Sequence, residues 1–102
     1  MSRYQLNKAM WVVAMNDDPE PRKRFEKDPA VFSKDFELTD EERNAYVAGD
    51  IGKLYSMGVQ PFVLLFFAQV RYPSEPGAKG LMEFMTNYRQ WVAPHGNPDF
   101  AT

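Results

Sequence analysis

The 102-residue chain contains no cysteine and a single histidine, His95. The absence of thiols excludes disulfides, thiolate metal sites and catalysis by a cysteine nucleophile. A metal site normally needs two or three ligands that are themselves held by further hydrogen bonds. His95, in a Pro/Gly-rich tail, is therefore interpreted as a solvated residue, and we expect this chain to bind no metal and no cofactor.

Catalytic motifs are also missing. The sequence has no Gly-rich phosphate loop, no GxSxG motif and no HExxH motif. Asp17 and Asp18 are adjacent carboxylates, but they follow the predicted end of a helix, where capping or solvation is a simpler role than paired acid–base chemistry. We expect the chain not to be catalytic alone.

The chain has neither a basic block nor a long hydrophobic run. Its net charge is −2, and acidic residues follow its one basic cluster, residues 22–24, so nucleic-acid binding is not expected. The longest apolar run, residues 59–70, is shorter than the roughly 20 residues of a bilayer span, and the N-terminus lacks a signal peptide's apolar stretch. Together with the absence of cysteine, these features predict a cytoplasmic protein with no membrane contact.

Capping signals mark short helices in the middle of the chain, and no segment has the alternating pattern of a strand. Asp28 and Asp50 each stand where an N-cap is expected, and Thr39 with Glu42 forms a capping box. Gly49 is suited to end the helix that this box begins. The sequence predicts an all-α fold over residues 1–92, a compact bundle of several short helices around one buried apolar helix, followed by a flexible tail over residues 93–102.

The apolar helix is predicted for the run from Pro61 to Val70. Proline suits the first turn of a helix, and a helix that is apolar on all sides must be covered on all sides. Either the other helices wrap it, or part of it waits for a partner. Aromatic residues, at 15% of the chain, favour a protein interface, for which the candidates are Trp11, Phe62, Phe66 and Phe67.

A series of motifs runs from Arg22 to Leu54: an Arg-Phe pair, an Asp four residues from a Phe, a Leu-Thr pair before acidic residues, and an Asp four residues before a Leu. Together with the segment Leu6-Asn7-Lys8-Ala9, this order resembles the small α subunit (LigA-like) of the protocatechuate 4,5-dioxygenase family. The resemblance covers roughly Tyr4 to Phe67. Residues 57–61 stand where the family usually has a Gly-Gly-Asn turn.

The resemblance implies a non-catalytic small subunit of an extradiol aromatic ring-cleaving dioxygenase. Such a subunit packs over the cleft of a larger catalytic β subunit, which holds the Fe(II), and helps to close it. The resemblance also places substrate-facing residues just beyond the apolar helix. The Pro/Gly-rich loop from Tyr72 to Gly80 is therefore our candidate lid, with Arg71, Tyr72 and Glu75 as its candidate substrate-facing residues.

Two alternatives remain open. The same short-helix fold resembles a domain of peptide precursors that docks a backbone N-methyltransferase, and the chain is also compatible with a free-standing protein-binding module. The neighbouring gene separates the three hypotheses, since it would encode a ring-cleavage β subunit, a methyltransferase or neither.

Overall fold

The computed structural model describes residues 3–95, which form seven α-helices and no strand. The all-α prediction is therefore confirmed. Residues 93–95 of the predicted tail form a 3₁₀ turn that packs on the fifth helix, and residues 96–102 of that tail lie outside the described residues. The helices are α1 (Tyr4–Ala14), α2 (Glu20–Lys27), α3 (Pro29–Ser33), α4 (Asp40–Ala48), α5 (Ile51–Ser56), α6 (Pro61–Arg71) and α7 (Ala78–Val92).

Side-chain caps begin α3, α4 and α5 as predicted. Asp28 and Asp50 each accept a hydrogen bond at 3.1 Å from the backbone N–H three residues further on. In the capping box, the Glu42 N–H donates to Thr39 Oγ1 at 3.0 Å, and the Thr39 N–H donates to Glu42 Oε1 at 2.8 Å. Gly49 ends α4 with a φ of 68°, a left-handed conformation that favours glycine.

Three stacked or edge-on aromatic rings form the centre of the core. Tyr46 and Phe67 stack with ring centroids 5.2 Å apart, and Phe25 meets them edge-on at 5.3 and 5.7 Å. The buried Tyr46 hydroxyl donates to the Ala9 carbonyl at 2.8 Å, and burial raises the pKa of this phenol. The cluster joins α1, α2, α4 and α6 into one core.

Helix α6 is covered on one side only, so of the two possibilities that the sequence left open, the other helices do not wrap it completely. Phe62 and Phe66 are 67% and 42% exposed. The physical reason is the small number of layers, because α1 packs along one flank of α6 and no described element covers the outer side. The buried side consists of Val63, Leu64, Phe67 and Ala68.

Three arginines hold the carboxyl-terminal ends of helices. Arg22 Nε donates to the carbonyl of Val13, in the last turn of α1, at 2.8 Å. Arg43 donates to the last residue of α3 at 2.7 Å, and Arg71 donates to Val47, in the last turn of α4, at 3.0 Å. Because these carbonyls have no partner within their own helices, the arginines replace hydrogen bonds that short helices lack.

Residues far along the chain hold α1 in place. The Asn7 side-chain oxygen accepts a hydrogen bond from the Gln60 N–H at 2.8 Å, across 53 positions. Arg3 pairs with Glu42 at 3.1 Å and donates to the Met57 carbonyl at 3.2 Å. The start of α1 is thereby fixed beside the start of α6.

Candidate functional site

Large apolar side chains are exposed on α1 and α6 along the line where the two helices meet. Tyr4 and Trp11 lie on one side of α1, and Phe62 and Phe66 lie one turn apart on α6. Two depressions along this line contain residues from both helices. We call this surface, with Tyr4, Trp11, Phe62 and Phe66 as its exposed rings, the α1–α6 face.

The structure separates the four predicted interface residues into two groups. Trp11, Phe62 and Phe66 are 42% or more exposed, as an interface requires. Phe67 has no exposed surface and stacks on Tyr46, so its assignment to the interface is wrong. Sequence reasoning missed Tyr4, although its position seven residues before Trp11 places it on the same side of α1.

One depression is a groove of about 470 Å³ between the first turns of α1 and α6. The side-chain oxygens of Asn7 and Gln60 point to the start of α6, where they accept the N–H groups of Gln60 and Val63 at 2.8 and 2.9 Å. Lys8 is the charged residue of the groove, and its ammonium forms no ion pair within residues 3–95. The lining residues of the groove are Tyr4, Asn7, Lys8, Trp11, Gln60 and Val63.

The second depression connects the α1–α6 face to the loop after α6. Its volume is 270 Å³, and Ala14, Phe66 and Pro73 are among its lining residues, with Arg22 and Glu26 beside them. Phe66 belongs to the exposed face, whereas Pro73 is the second residue of the loop. The interface candidates and the lid candidate are thus parts of one continuous surface.

The loop that the sequence suggested as a lid covers residues 72–77, which is shorter than predicted because α7 begins at Ala78. The Tyr72 hydroxyl donates to the Gly49 carbonyl at 2.8 Å, and its ring packs on Trp91 with centroids 4.9 Å apart. The Arg71 guanidinium, which donates to the Val47 carbonyl in α4, also lies 5.6 Å from the centre of the Phe25 ring. Arg71 and Tyr72 therefore anchor the start of the loop, and of the three predicted lid residues only Glu75 lies in its exposed middle.

A cleft of 440 Å³ lies below Tyr72, between the α4–α5 turn and the end of α7. Asp50, Trp91 and His95 line it together with Tyr72. A Cβ on Gly52 would lie 2.7 Å from His95 Nε2, so His95 is exposed yet packed on α5. Sequence reasoning missed this cleft because its walls come from segments that are distant in the chain.

Residues 6–90 match the family described as "Aromatic-ring-opening dioxygenase LigAB, LigA subunit". The match includes α6, the loop and nearly all of α1 and α7. The chain belongs to the LigA subunit family. The predicted resemblance is confirmed and extends beyond Phe67, where the sequence motifs ended. No curated protein and no solved structure shows significant similarity to the chain.

Membership makes this LigA-family chain a small subunit of an aromatic-ring-opening dioxygenase and supports a larger partner subunit. In the part of the chain that the structure describes, no three His, Cys, Asp or Glu side chains group so that they could hold a metal ion. Between residues 3 and 95, none of the helices has the length and apolarity needed to cross a membrane.

Proposed function

We propose that this LigA-family chain is the non-catalytic small subunit of an extradiol ring-cleaving dioxygenase. It docks on a larger catalytic subunit through the α1–α6 face and closes the active site of that subunit with the loop after α6. The observation that carries the proposal is the continuity of face and loop, because Phe66 and Pro73 line the same depression. A partner that covers Phe66 would lie directly beside the loop.

The composition of the face supports docking to a protein. Tryptophan and tyrosine are among the residues that contribute most to binding at interfaces, and here Tyr4 and Trp11 are 64% and 44% exposed. Burying each large apolar side chain removes it from water with a gain of roughly 1.5–3 kcal/mol. Four such rings on adjacent helices therefore provide a strong reason to associate.

The division of labour in the complex follows from the donor groups of this chain. A non-haem iron(II) site of the facial type uses two histidines and a carboxylate, whereas this sequence has one histidine. These residues do not fit an iron site, so we assign the Fe(II) and the general base to the partner. This chain contributes water exclusion and orientation of the substrate. The lack of cysteine is consistent with a reducing compartment, and we place the complex in the cytoplasm.

Substitutions on the face test the docking. We expect Trp11→Ser and Phe62→Ser each to weaken the complex with the co-expressed large subunit about 30-fold, because loss of a central aromatic anchor costs about 2 kcal/mol. Analytical ultracentrifugation of the two-subunit mixture measures the change. Met82→Ser is the matched control, because Met82 is 70% exposed but lies on α7. Equal weakening by Met82→Ser, or unchanged assembly in both face variants, would contradict this docking surface.

The lid is tested in the assembled complex. We expect Tyr72→Phe, which removes the bond to the Gly49 carbonyl but keeps the ring, to lower kcat/KM for ring cleavage about tenfold through misplacement of the loop. Glu75→Ala should lower kcat/KM without affecting the fold, since Glu75 is exposed. Assembly should be retained in both variants. If both retain full kcat/KM, the loop is an ordinary surface connection.

A further inference from the structure

We infer that the partner segment that fills the groove between α1 and α6 is an apolar stretch with a carboxylate beside it, and that this carboxylate pairs with Lys8. The inference rests on the proposed function, because it describes the chemistry of the partner surface that the α1–α6 face recognises. A required carboxylate makes the α1–α6 face selective among partners, because apolar contacts alone would accept many different apolar segments.

Among the lining residues of the groove, Lys8 is the one with a charge. The side-chain oxygens of Asn7 and Gln60 are occupied by N–H groups at the start of α6. The remaining walls come from Tyr4, Trp11 and Val63. An occupant must therefore present apolar side chains to these walls and an anionic group to the Lys8 ammonium, because covering an unpaired charge is costly.

The charges on α1 and α6 also favour an anionic group on the partner. Although the chain has a net charge of −2, α1 and α6 contain no Asp and no Glu. Their only charged side chains are Lys8 and Arg71, and Arg71 is directed to the Val47 carbonyl. Arg3, just before α1, is already paired with Glu42. Within residues 3–95, Lys8 is thus a cation without an ion-pair partner on the α1–α6 face, in a chain whose net charge is negative.

Acidic groups do occur at the other end of the face. Glu26 lines the depression around Phe66, but it shares that depression with Arg22, so the charges there are mixed. A carboxylate on the partner is therefore attracted to the Lys8 end of the face. Near Phe66 the mixed charges neither attract nor repel it strongly. The partner segment is therefore expected to lie with its acidic residue over the first turns of α1 and α6, which fixes its direction.

A second copy of this chain is a poorer occupant. In a two-fold symmetric contact each face meets the equivalent face of the other copy. The carboxylate that this face offers, Glu26, shares its depression with Arg22, so a second copy brings to Lys8 a carboxylate with a cation beside it. An anionic membrane is also a poorer occupant, since attraction to anionic lipid depends on clusters of basic residues and Lys8 is the one basic residue that lines the groove.

The test uses Lys8 variants in the complex with the co-expressed large subunit. Lys8→Met, which keeps the apolar stem, should weaken assembly about fivefold and reduce its salt dependence. Lys8→Glu should weaken it about tenfold or more. If Trp11→Ser breaks the complex while Lys8→Glu leaves it intact, the charge requirement is wrong and the docking surface stands. If neither variant matters, the proposed docking surface itself is wrong.

A second measurement is independent of the large subunit. Two amphipathic helical peptides are titrated into the isotope-labelled chain. Both have the same apolar side of Leu and Phe, and they differ only in the residue beside that side, which is Glu in one peptide and Lys in the other. We expect NMR shift changes at Lys8 and the Trp11 indole, with tighter binding of the Glu peptide and loss of that preference in Lys8→Met. Equal binding of both peptides, concentration-dependent self-association of the chain alone, or preferential binding to anionic phosphatidylserine vesicles would overturn the inference.

Discussion

Replacing Phe67 with alanine should lower the free energy of unfolding by about 3–5 kcal/mol. The ring has no exposed surface, stacks on Tyr46 and meets Phe25 edge-on, so its removal leaves a cavity at the centre of the aromatic cluster. A domain of this size has a total stability of about 5–15 kcal/mol, and the variant should lose a large part of it. Urea denaturation followed by circular dichroism measures the difference.

Phe62→Ala is the matched control, because it removes the same ring from the same helix. Phe62 is 67% exposed, and exposed substitutions usually change stability by less than about 0.5 kcal/mol. We expect Phe62→Ala to fold normally and to bind the large subunit weakly, whereas Phe67→Ala loses stability. The opposite result, a stable Phe67→Ala and an unfolded Phe62→Ala, would mean that α6 directs Phe62, and not Phe67, towards the core.

The second large effect is expected for Gly49→Ala, with a loss of about 2–4 kcal/mol. Gly49 has a φ of 68°, and a left-handed backbone costs a side-chain-bearing residue roughly 1–2 kcal/mol. A Cβ here would also lie 2.5 Å from Arg71 Nε. The guanidinium would have to move, and the Val47 carbonyl would lose its hydrogen bond. Thermal and urea unfolding of the variant measure the sum of the two effects.

An Arg71→Ala background separates the two contributions. Without the guanidinium, alanine at position 49 keeps the strain of the left-handed backbone but displaces no arginine. Gly49→Ala should therefore cost less in the Arg71→Ala background than in the unmodified chain. Equal losses in the two backgrounds would show that Arg71 moves aside freely and contributes little to the α4–α6 contact.

The helix starts could be predicted because their determinants are local. Asp28, Thr39 and Asp50 cap an N–H three residues away, and this distance is fixed by the helix itself. The bounds of α2 follow in the same way from the proline-containing stretches on either side. Where a side chain interacts with its own neighbours in the chain, the sequence carries nearly all the information.

The predictions failed where distant segments decide the outcome. Phe66 and Phe67 are adjacent in sequence, and an all-apolar helix has no polar side to indicate which ring faces inward. That choice is made by Tyr46 and Phe25, which occupy the inner side. Tyr72 could be recognised as a ring with a hydroxyl, but its bond to the Gly49 carbonyl joins residues 23 positions apart. The groove at Lys8 likewise exists only because α1 and α6 meet.

The bonds that tie α1 to the second half of the chain have a consequence during synthesis. When α1 leaves the ribosome, the residues that hold it, Gln60 and Met57, have not yet been translated. Although α2 and α4 can already pack on it, the part of its apolar side that faces α6 remains uncovered until α6 emerges, so we expect α1 to reach its final position late. The proposed docking surface is completed in the same event, because half of it belongs to α6. If the partner binds there, a chain without α6 presents only half of the surface, and assembly would favour subunits that have finished folding.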